Sequence, residues 1–311
     1  MNATDPPVMT ATESPAYRRS VLLMLCSVLL FSVNVLIIRG LAIHAPLVDG
    51  WLATLFRGAV GLIVVTILYA RRGLQWGNLM GRPLVMARGV LGAIGIVAYY
   101  ITVVELGAAR ATVLNLTYPM FAAIIAAVWL REYLGLRAII WLAVGFCGLL
   151  IFLSDGAFKL GVSGYDVVAL VGALAAGYVV VVIRQLRHSE HPATIYAAQC
   201  VFSVLVALVP SSPAALHLGW IPLLVLAIAG VVVSFGQLFM TQAYRDIPVS
   251  QGSAIQMLMP LVTAAGGYLI FGERFTGVEL AGAAVTLVAT WQIVQRRSTR
   301  TPLAAGVPAA E

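Results

Sequence analysis

Apolar residues in this chain are grouped into long runs, and polar or charged residues fall almost wholly between the runs. Helix-length apolar windows lie near residues 20–41, 47–70, 84–104, 109–130 and 136–153, then near 164–184, 193–209, 220–242, 250–271 and 277–294. About 20 residues of α-helix cross roughly 30 Å of hydrocarbon. A backbone in lipid must satisfy its own hydrogen bonds, so runs of this length are helices rather than isolated strands. The pattern predicts ten transmembrane helices.

The second set of runs repeats the first at a fixed offset of 141 residues, with Pro119 falling on Pro260, Glu132 on Glu273, Asn115 on Gln256 and Glu105 on Asp246. Each half then holds an odd number of crossings, so the second copy enters the bilayer upside down. The predicted fold is an all-α membrane protein of ten transmembrane helices in two inverted-topology five-helix repeats, residues 20–153 and 154–297. Residues 1–19 and 298–311 are polar or low in apolar content and read as disordered cytoplasmic tails, the first one not a cleaved signal. No linker between them is long or polar enough to mark a separate soluble domain.

Composition agrees, with 61% hydrophobic and 10% charged residues and a mean hydropathy of +0.98, far from soluble-domain values. The net charge of +7 has a topological explanation. With the amino terminus inside, the inner segments hold thirteen arginines: 18, 19, 71, 72, 82, 131, 137, 184, 187, 245, 296, 297 and 300. The outer segments hold Arg39, Arg110, Lys159 and Arg274, and basic residues are retained on the cytoplasmic side. Both termini are therefore expected in the cytoplasm, in a bacterial inner membrane. No basic helix or aromatic platform calls for a nucleic-acid partner. Cys26, Cys147 and Cys200 fall inside spans, with no disulfide or metal spacing, and no cofactor is expected.

Two blocks in register carry a family signature. In the first half they read E-L-G-A-A-R-A-T-V-L-N-L-T-Y-P and R-E-Y-L-G; in the second, R-D-I-P-V-S-Q-G-S-A-I-Q-M-L-M-P and G-E-R-F-T-G. A short turn, a polar-tinged helix with a central proline and a Glu thirteen residues later make the chain resemble the drug/metabolite transporter superfamily, in its EamA-type members, over about residues 20–294. The resemblance implies ten helices and transport. It leaves the solute open, because the superfamily carries amino acids, nucleotide sugars, phosphorylated sugars and cations.

Candidate substrate contacts begin on the fourth span, where Asn115, Tyr118 and Ala122 share a face, beside Pro119. Gln256, Met259 and Thr263 are their counterparts, beside Pro260. A mid-helix proline frees a carbonyl, so Pro119 and Pro260 are read as hinges or gates, the alternative being a packing kink. Arg57, near the middle of the second span, is read as an attractor of substrate carboxylate or a structural cap; Arg88, one turn into its helix, is expected to snorkel to the surface. Gly92 and Gly95 lead along one stripe to Tyr99, with close helix packing as the plain use of the glycines. Asn34, Tyr178, Gln199 and Gln237 complete the candidate set.

Absences narrow the substrate. No Asp or Glu falls in a helix interior, which disfavours proton antiport of cationic drugs. Glu105, Glu132, Asp246 and Glu273 lie at span ends, where Arg110, Arg131, Arg245 and Arg274 are the expected partners. Anionic phosphates would call for several intramembrane cations. Amides, tyrosines and one arginine suit a small zwitterion with an apolar side chain, and EamA-type proteins include aromatic amino acid exporters. The reading is thus export of small neutral, aromatic amino acids, with other metabolites or drugs, or a non-transporting receptor or scaffold, as alternatives. No H-E-x-x-H, paired intramembrane Asp or Ser/His dyad points to an enzyme. Small-molecule substrate and membrane lipids are the expected partners, in a monomer or weak homodimer. The fifth and tenth spans, rich in small residues, are expected to be peripheral.

Overall fold

The computed structural model describes residues 15–45, 48–71, 73–106, 114–131, 135–152, 163–215, 218–272 and 276–294. Glu132, Glu273, Arg110, Lys159, Arg274 and residues 1–14 and 295–311 lie outside these, as does the side chain of Glu105. Among the described residues the chain is all helix: α1 (Pro15–His44), α2 (Gly50–Tyr69), α3 (Trp76–Gly81), α4 (Pro83–Leu106), α5 (Tyr118–Trp129) and α6 (Leu136–Phe152) form the first half. The second half holds α7 (Gly164–Leu186), α8 (Pro192–Ala215), α9 (Trp220–Ala243), α10 (Val249–Gln256), α11 (Met259–Phe271) and α12 (Gly277–Val294). Among the described residues seven spans are long and apolar enough to cross a membrane, α10 and α11 counting as one, and three shorter apolar helices fill the remaining places of the ten. The short α3 was not foreseen.

Side chains fix several helix ends. Asp49 accepts from Leu52 N at 2.8 Å to begin α2, and Ser163 with Asp166 forms a capping box before α7. Thr276 and Glu279 exchange bonds in the same way before α12.

The prolines do not lie in the middle of continuous helices as the sequence reading supposed. Each follows a break and sits in the first turn of a new helix, where its missing N–H leaves no bond unmade. Thr117 (φ −73, ψ −14) and Leu258 (φ −75, ψ −15), 141 positions apart, have matching geometry at the two breaks. Arg131 (φ 52) and Gly272 (φ 68), at the same offset, are both left-handed at the end of the following helix.

Packing repeats this equivalence. Helix α1 packs on α9 as α7 packs on α4, α2 on α9 as α8 on α4, and α11 on α1 as α5 on α7. The equivalent helices α2 and α8 pack on each other, and so do α6 and α12. Both pairs are antiparallel: Gly58 faces the Cys200 carbonyl while Tyr69, further along α2, stacks on His191 at 5.0 Å. Gly145 faces Ala289, and Gly148 faces Thr286. Thr286 Oγ1 shares its proton between the Gly282 carbonyl of its own helix at 3.0 Å and the Gly145 carbonyl at 3.3 Å, the latter a contact between residues 141 apart. The halves are inverted copies about an axis through these contacts. The small residues of α6 and α12 are thus spent on one another.

Burial is inverted relative to a water-soluble protein. Ser27, Ser32, Thr54, Gln199, Ser234 and Gln237 are buried, whereas Leu22, Ile67, Val128, Val209, Leu269 and Trp291 are exposed, as a lipid-facing surface requires. The start of α1 and the end of α12 meet, Tyr17 Oη donating to the Val294 carbonyl at 3.0 Å. This is the terminal end of the bundle.

Candidate functional site

Among the described residues two arginines stand inside the bundle, both from the first half. Arg57, roughly two turns into α2, donates from Nη2 to Gln237 Oε1 of α9 at 3.3 Å. Arg88, on α4, donates from Nη2 to Gln199 Oε1 of α8 at 2.7 Å. The pairs α2–α9 and α8–α4 are repeat equivalents, but the bridging residues are not copies of one another, since Arg57 and Gln237 fall on Ala198 and Ile96. Both cations come from one half and both amides from the other.

Arg88 corrects the expectation that it snorkels, since it is 1% exposed. Gly92, one turn further on, supplies the room: a Cβ there would strike Arg88 Nη1. Gly89 lets α8 close over the stem, an added Cβ meeting the Ala198 carbonyl at 2.8 Å. Arg88 Nε and Nη1 are buried without a hydrogen-bond partner among the described residues. Gly92 therefore does more than allow close packing.

Tyr196 and Cys200 of α8 lie within electrostatic reach of both guanidinium groups, which also act on each other. Gly61 faces the Tyr196 hydroxyl and Cys200 Sγ. Ser234 Oγ donates its one proton to the Gly230 carbonyl at 2.6 Å, so Tyr196 must be the donor in its 3.1 Å contact with Ser234. The centre is a layer of donors, and among the described residues no carboxylate enters it. Asp49, Asp166 and Glu279 cap helices, and Glu190 and Asp246 lie at the terminal end. A cation at mid-membrane depth costs about 2.5–3.5 kcal/mol on insertion scales, and no protein anion offsets it here.

A narrow cleft reaches Arg57 from the far end of the bundle, lined by Asn34, Ile38, Ala53, Arg57, Ala229 and Val233 among others. It leaves about 10 Å³ for the centre of a water molecule, enough for one. Asn34 Nδ2 donates to the Ala229 carbonyl at 2.9 Å, drawing α1 and α9 together at its wall.

The terminal end is sealed by polar contacts, most of them between the halves and the rest within the second half. Thr194 bonds Gly73 O at 3.0 Å and Gln75 N at 3.1 Å. Asn78 Nδ2 reaches both Glu190 oxygens at 3.1 Å, and Arg82 pairs with Glu190 at 2.8 Å. Ser20 donates to Asp246 at 2.9 Å, so Asp246 takes its bond from α1 rather than from the Arg245 that sequence suggested. The Tyr17 hydroxyl also lies 3.0 Å from Gln251 Oε1, which shares its one proton with the Val294 carbonyl. Arg184 donates to the Tyr244 carbonyl at 2.8 Å and to that of Arg245. Arg187 donates to the Glu190 carbonyl and to Gln242 Oε1 at 3.2 Å. Burial, with Arg245 beside it, pulls Arg187 down to about 10. Burial first, then neighbouring arginines, holds His188 and His191 below the usual histidine range. Glu190 escaped sequence reasoning because it sits in a short polar loop and reads as solvated.

Arg57, Gln199, Gln237 and Asn34 are thus gathered along the axis, with Arg88 as the addition. The remaining candidates lie elsewhere. Gln256 donates to Met24 Sδ at 3.1 Å and Ser27 at 3.4 Å on α1. Tyr178 stacks on Trp129 at 5.1 Å. Asn115 precedes the first break and Tyr118 follows it, so the face they were expected to share with Ala122 is interrupted. Tyr118 packs among core residues, Met259 accepts from Ser32 through its carbonyl at 3.1 Å, and Tyr99 is half-buried on α4. Pro119 and Pro260 are buried.

A bundle of inverted repeats around a central polar layer, with a cleft from one end and a seal at the other, defines the transporter class. Residues 18–154 and 164–295 each match the EamA-like transporter family, and the chain belongs to that family. It is an integral membrane transporter of EamA type. The chain is 28% identical over 281 residues to the pseudopaline exporter CntI of Pseudomonas aeruginosa, covering 88% of this chain and 94% of that protein. It is 27% identical over 221 residues to the riboflavin transporter of Rhizobium johnstonii, covering 69% of this chain and 71% of the relative. A protein of known crystal structure shares the fold with a TM-score of 0.71 at 16% identity, over 87% of this chain and 94% of the other.

Proposed function

We propose that the protein exports small carboxylate-bearing metabolites, neutral aromatic amino acids among them, from the cytoplasm across a bacterial inner membrane. The observation that carries this reading is Arg57: a cation in the wall of the cleft, bonded to the neutral Gln237, with no carboxylate near it among the described residues. A substrate carboxylate supplies the missing charge and a two-toothed acceptor. The tyrosines and apolar walls suit an aromatic body. The relatives named above include one exporter and one transporter of metabolites, which supports the class.

The positive-inside count assigns the terminal end to the cytoplasm. The two repeats rock about the central layer, sealing one end as the other opens. With no acidic relay among the described residues, the protein works as a facilitator, driven by the substrate gradient.

Counterflow in proteoliposomes loaded with phenylalanine tests the reading. Labelled phenylalanine should accumulate and phenylalaninamide should not compete, while Arg57→Gln should lower uptake about tenfold or more, about 1.4 kcal/mol or more. Equal competition by acid and amide would overturn it.

A further inference from the structure

The residues that open the cleft have copies 141 positions away, and those copies are closed. Ile38 corresponds to Val179, Ala53 to Thr194, Arg57 to Ala198, Leu226 to Val85, Ala229 to Arg88 and Val233 to Gly92. The correspondence is structural as well as numerical. Gly236 packs on Phe31 of α1, and its copy Gly95 packs on Gly172, the copy of Phe31. At the far end the set forms a cleft. At the terminal end Val85, Arg88, Thr194 and Ala198 are all buried beneath the seal. One sequence pattern thus borders a cleft of one-water size on one side, where Leu226, Ala229 and Val233 are themselves buried, and a polar seal on the other. In an inverted-repeat transporter the opposite state arises when the halves exchange these conformations.

We infer that Val85, Arg88, Gly92, Thr194 and Ala198 line the cytoplasmic cleft of the opposite state, and that Arg88 is the anion-loading group within it. Arg88 occupies the position whose copy, Ala229, lines the present cleft. Where Val233 fills space in that cleft, Gly92 leaves it empty, and the Arg88 guanidinium lies there. Its Nε and Nη1 are buried and unpartnered among the described residues, so each of its two carboxylate-binding edges has a free donor beside the Nη2 that Gln199 holds. In the sealed state Gln199 occupies Nη2 alone. Arg88 therefore receives the carboxylate on the cytoplasmic side, and Arg57, in the wall of the opposite cleft, holds it on the far side before release. This assignment rests on the carboxylate export reading and adds a separate seat for each side.

Two measurements test it. In inside-out and right-side-out membrane vesicles, half-saturation by labelled phenylalanine is compared for wild type, Arg88→Gln, Arg88→Lys and Arg57→Gln. Arg88→Gln should raise half-saturation about tenfold more at the cytoplasmic face than at the other, Arg57→Gln should show the reverse bias, and Arg88→Lys should recover part of the loss. Equal change at both faces, or none, would overturn the assignment, and detergent melting of Arg88→Gln shows whether a uniform loss is misfolding. Independently, Val85→Cys in a background lacking Cys26, Cys147 and Cys200 should react with an impermeant maleimide from the cytoplasmic face during turnover. A Val85→Cys that never reacts removes the cytoplasmic cleft. Wild-type vesicles inert to every acid would sink the export reading instead, with the labelling result still deciding the cleft.

Discussion

Arg82 and Glu190 form an ion pair, Nη1 to Oε1 at 2.8 Å, across the boundary between the two halves, with the arginine side chain 50% exposed and the carboxylate 1% exposed. The pair joins the residue before α4 to the loop before α8. Asn78 adds bonds to both carboxylate oxygens, so the buried charge is well satisfied. Its partners belong to the half that must move away when the terminal end opens.

Glu190→Gln should therefore favour the state open at the terminal end. Hydrogen bonds to charged groups contribute about 1.5–3 kcal/mol, discounted here because Arg82 faces solvent, so a shift of about 1 kcal/mol is expected. Maleimide labelling of Thr194→Cys from the cytoplasmic side should quicken about fivefold in the Glu190→Gln background. Unchanged labelling means the pair is a surface ornament rather than part of the seal.

Arg131 adopts φ 52 where its repeat counterpart Gly272 adopts φ 68. A side chain in the left-handed region costs about 1–2 kcal/mol that glycine avoids. Arg131→Gly should stabilise the folded protein by about 1 kcal/mol, partly offset by a looser unfolded chain. Melting in detergent should rise for Arg131→Gly and fall for Gly272→Ala.

The α6–α12 contact leaves no room for side chains at Gly148 and Gly282. A Cβ on Gly282 would lie 2.5 Å from Phe152 N, and one on Gly148 would lie 2.9 Å from the Gly282 carbonyl. Backbone atoms cannot step aside as a flexible side chain can. Gly282→Ala is expected to destabilise by about 1–3 kcal/mol, read as a lower melting temperature, while Ala281→Gly on the exposed face changes little.

The two histidines of the seal give a pH dependence with a definite sign. Burial lowers His188, with Arg184, Arg187 and Arg245 adding to it and Asp246 opposing, and burial with Arg187 lowers His191. As pH falls, the unfolded chain takes up these protons first, so the native state loses stability below about pH 6.5 and is unaffected above it. Melting temperature should be flat from about pH 8 to 6.5 and then decline, and His188→Asn with His191→Asn should flatten the decline. A double variant with the wild-type slope would assign the acid sensitivity elsewhere.

Helix boundaries were legible because a lipid-crossing run announces itself by length: the window 277–294 and the start of α7 at Gly164 coincide with the structure. Inversion was legible because the repeat has an odd number of spans. The two helix breaks were not, because apolar patterning is indifferent to whether two residues leave the helix. Arg88 was misplaced for a related reason. Its distance from the helix start suggests an easy path to the surface, but its fate is set by Gly92 on its own helix and by Gln199, 111 positions away. Asn115 and Gln256 show the converse, because a polar residue at a matched position can serve interhelical packing in one half, as Gln256 does against Met24 and Ser27.

The prolines at the breaks are proposed as hinges, and their matched geometry makes a specific test. Pro119 cannot donate to the Asn115 carbonyl, nor Pro260 to that of Gln256, and the ring crowds that carbonyl as well. Alanine restores the donor and allows the helix to run through Leu116 and Thr117, or through Met257 and Leu258. A straighter fourth or ninth span packs differently on α7 or α1 and should resist the exchange between end-open states. Pro119→Ala and Pro260→Ala are each expected to lower maximal counterflow several-fold, on the order of 1 kcal/mol in the barrier, with half-saturation within about twofold of wild type, because neither residue holds the carboxylate. The double variant should lose more than either single one, since the breaks act in opposite halves. Full activity in the double variant would show that the breaks persist without proline and that the rest of the backbone sets them.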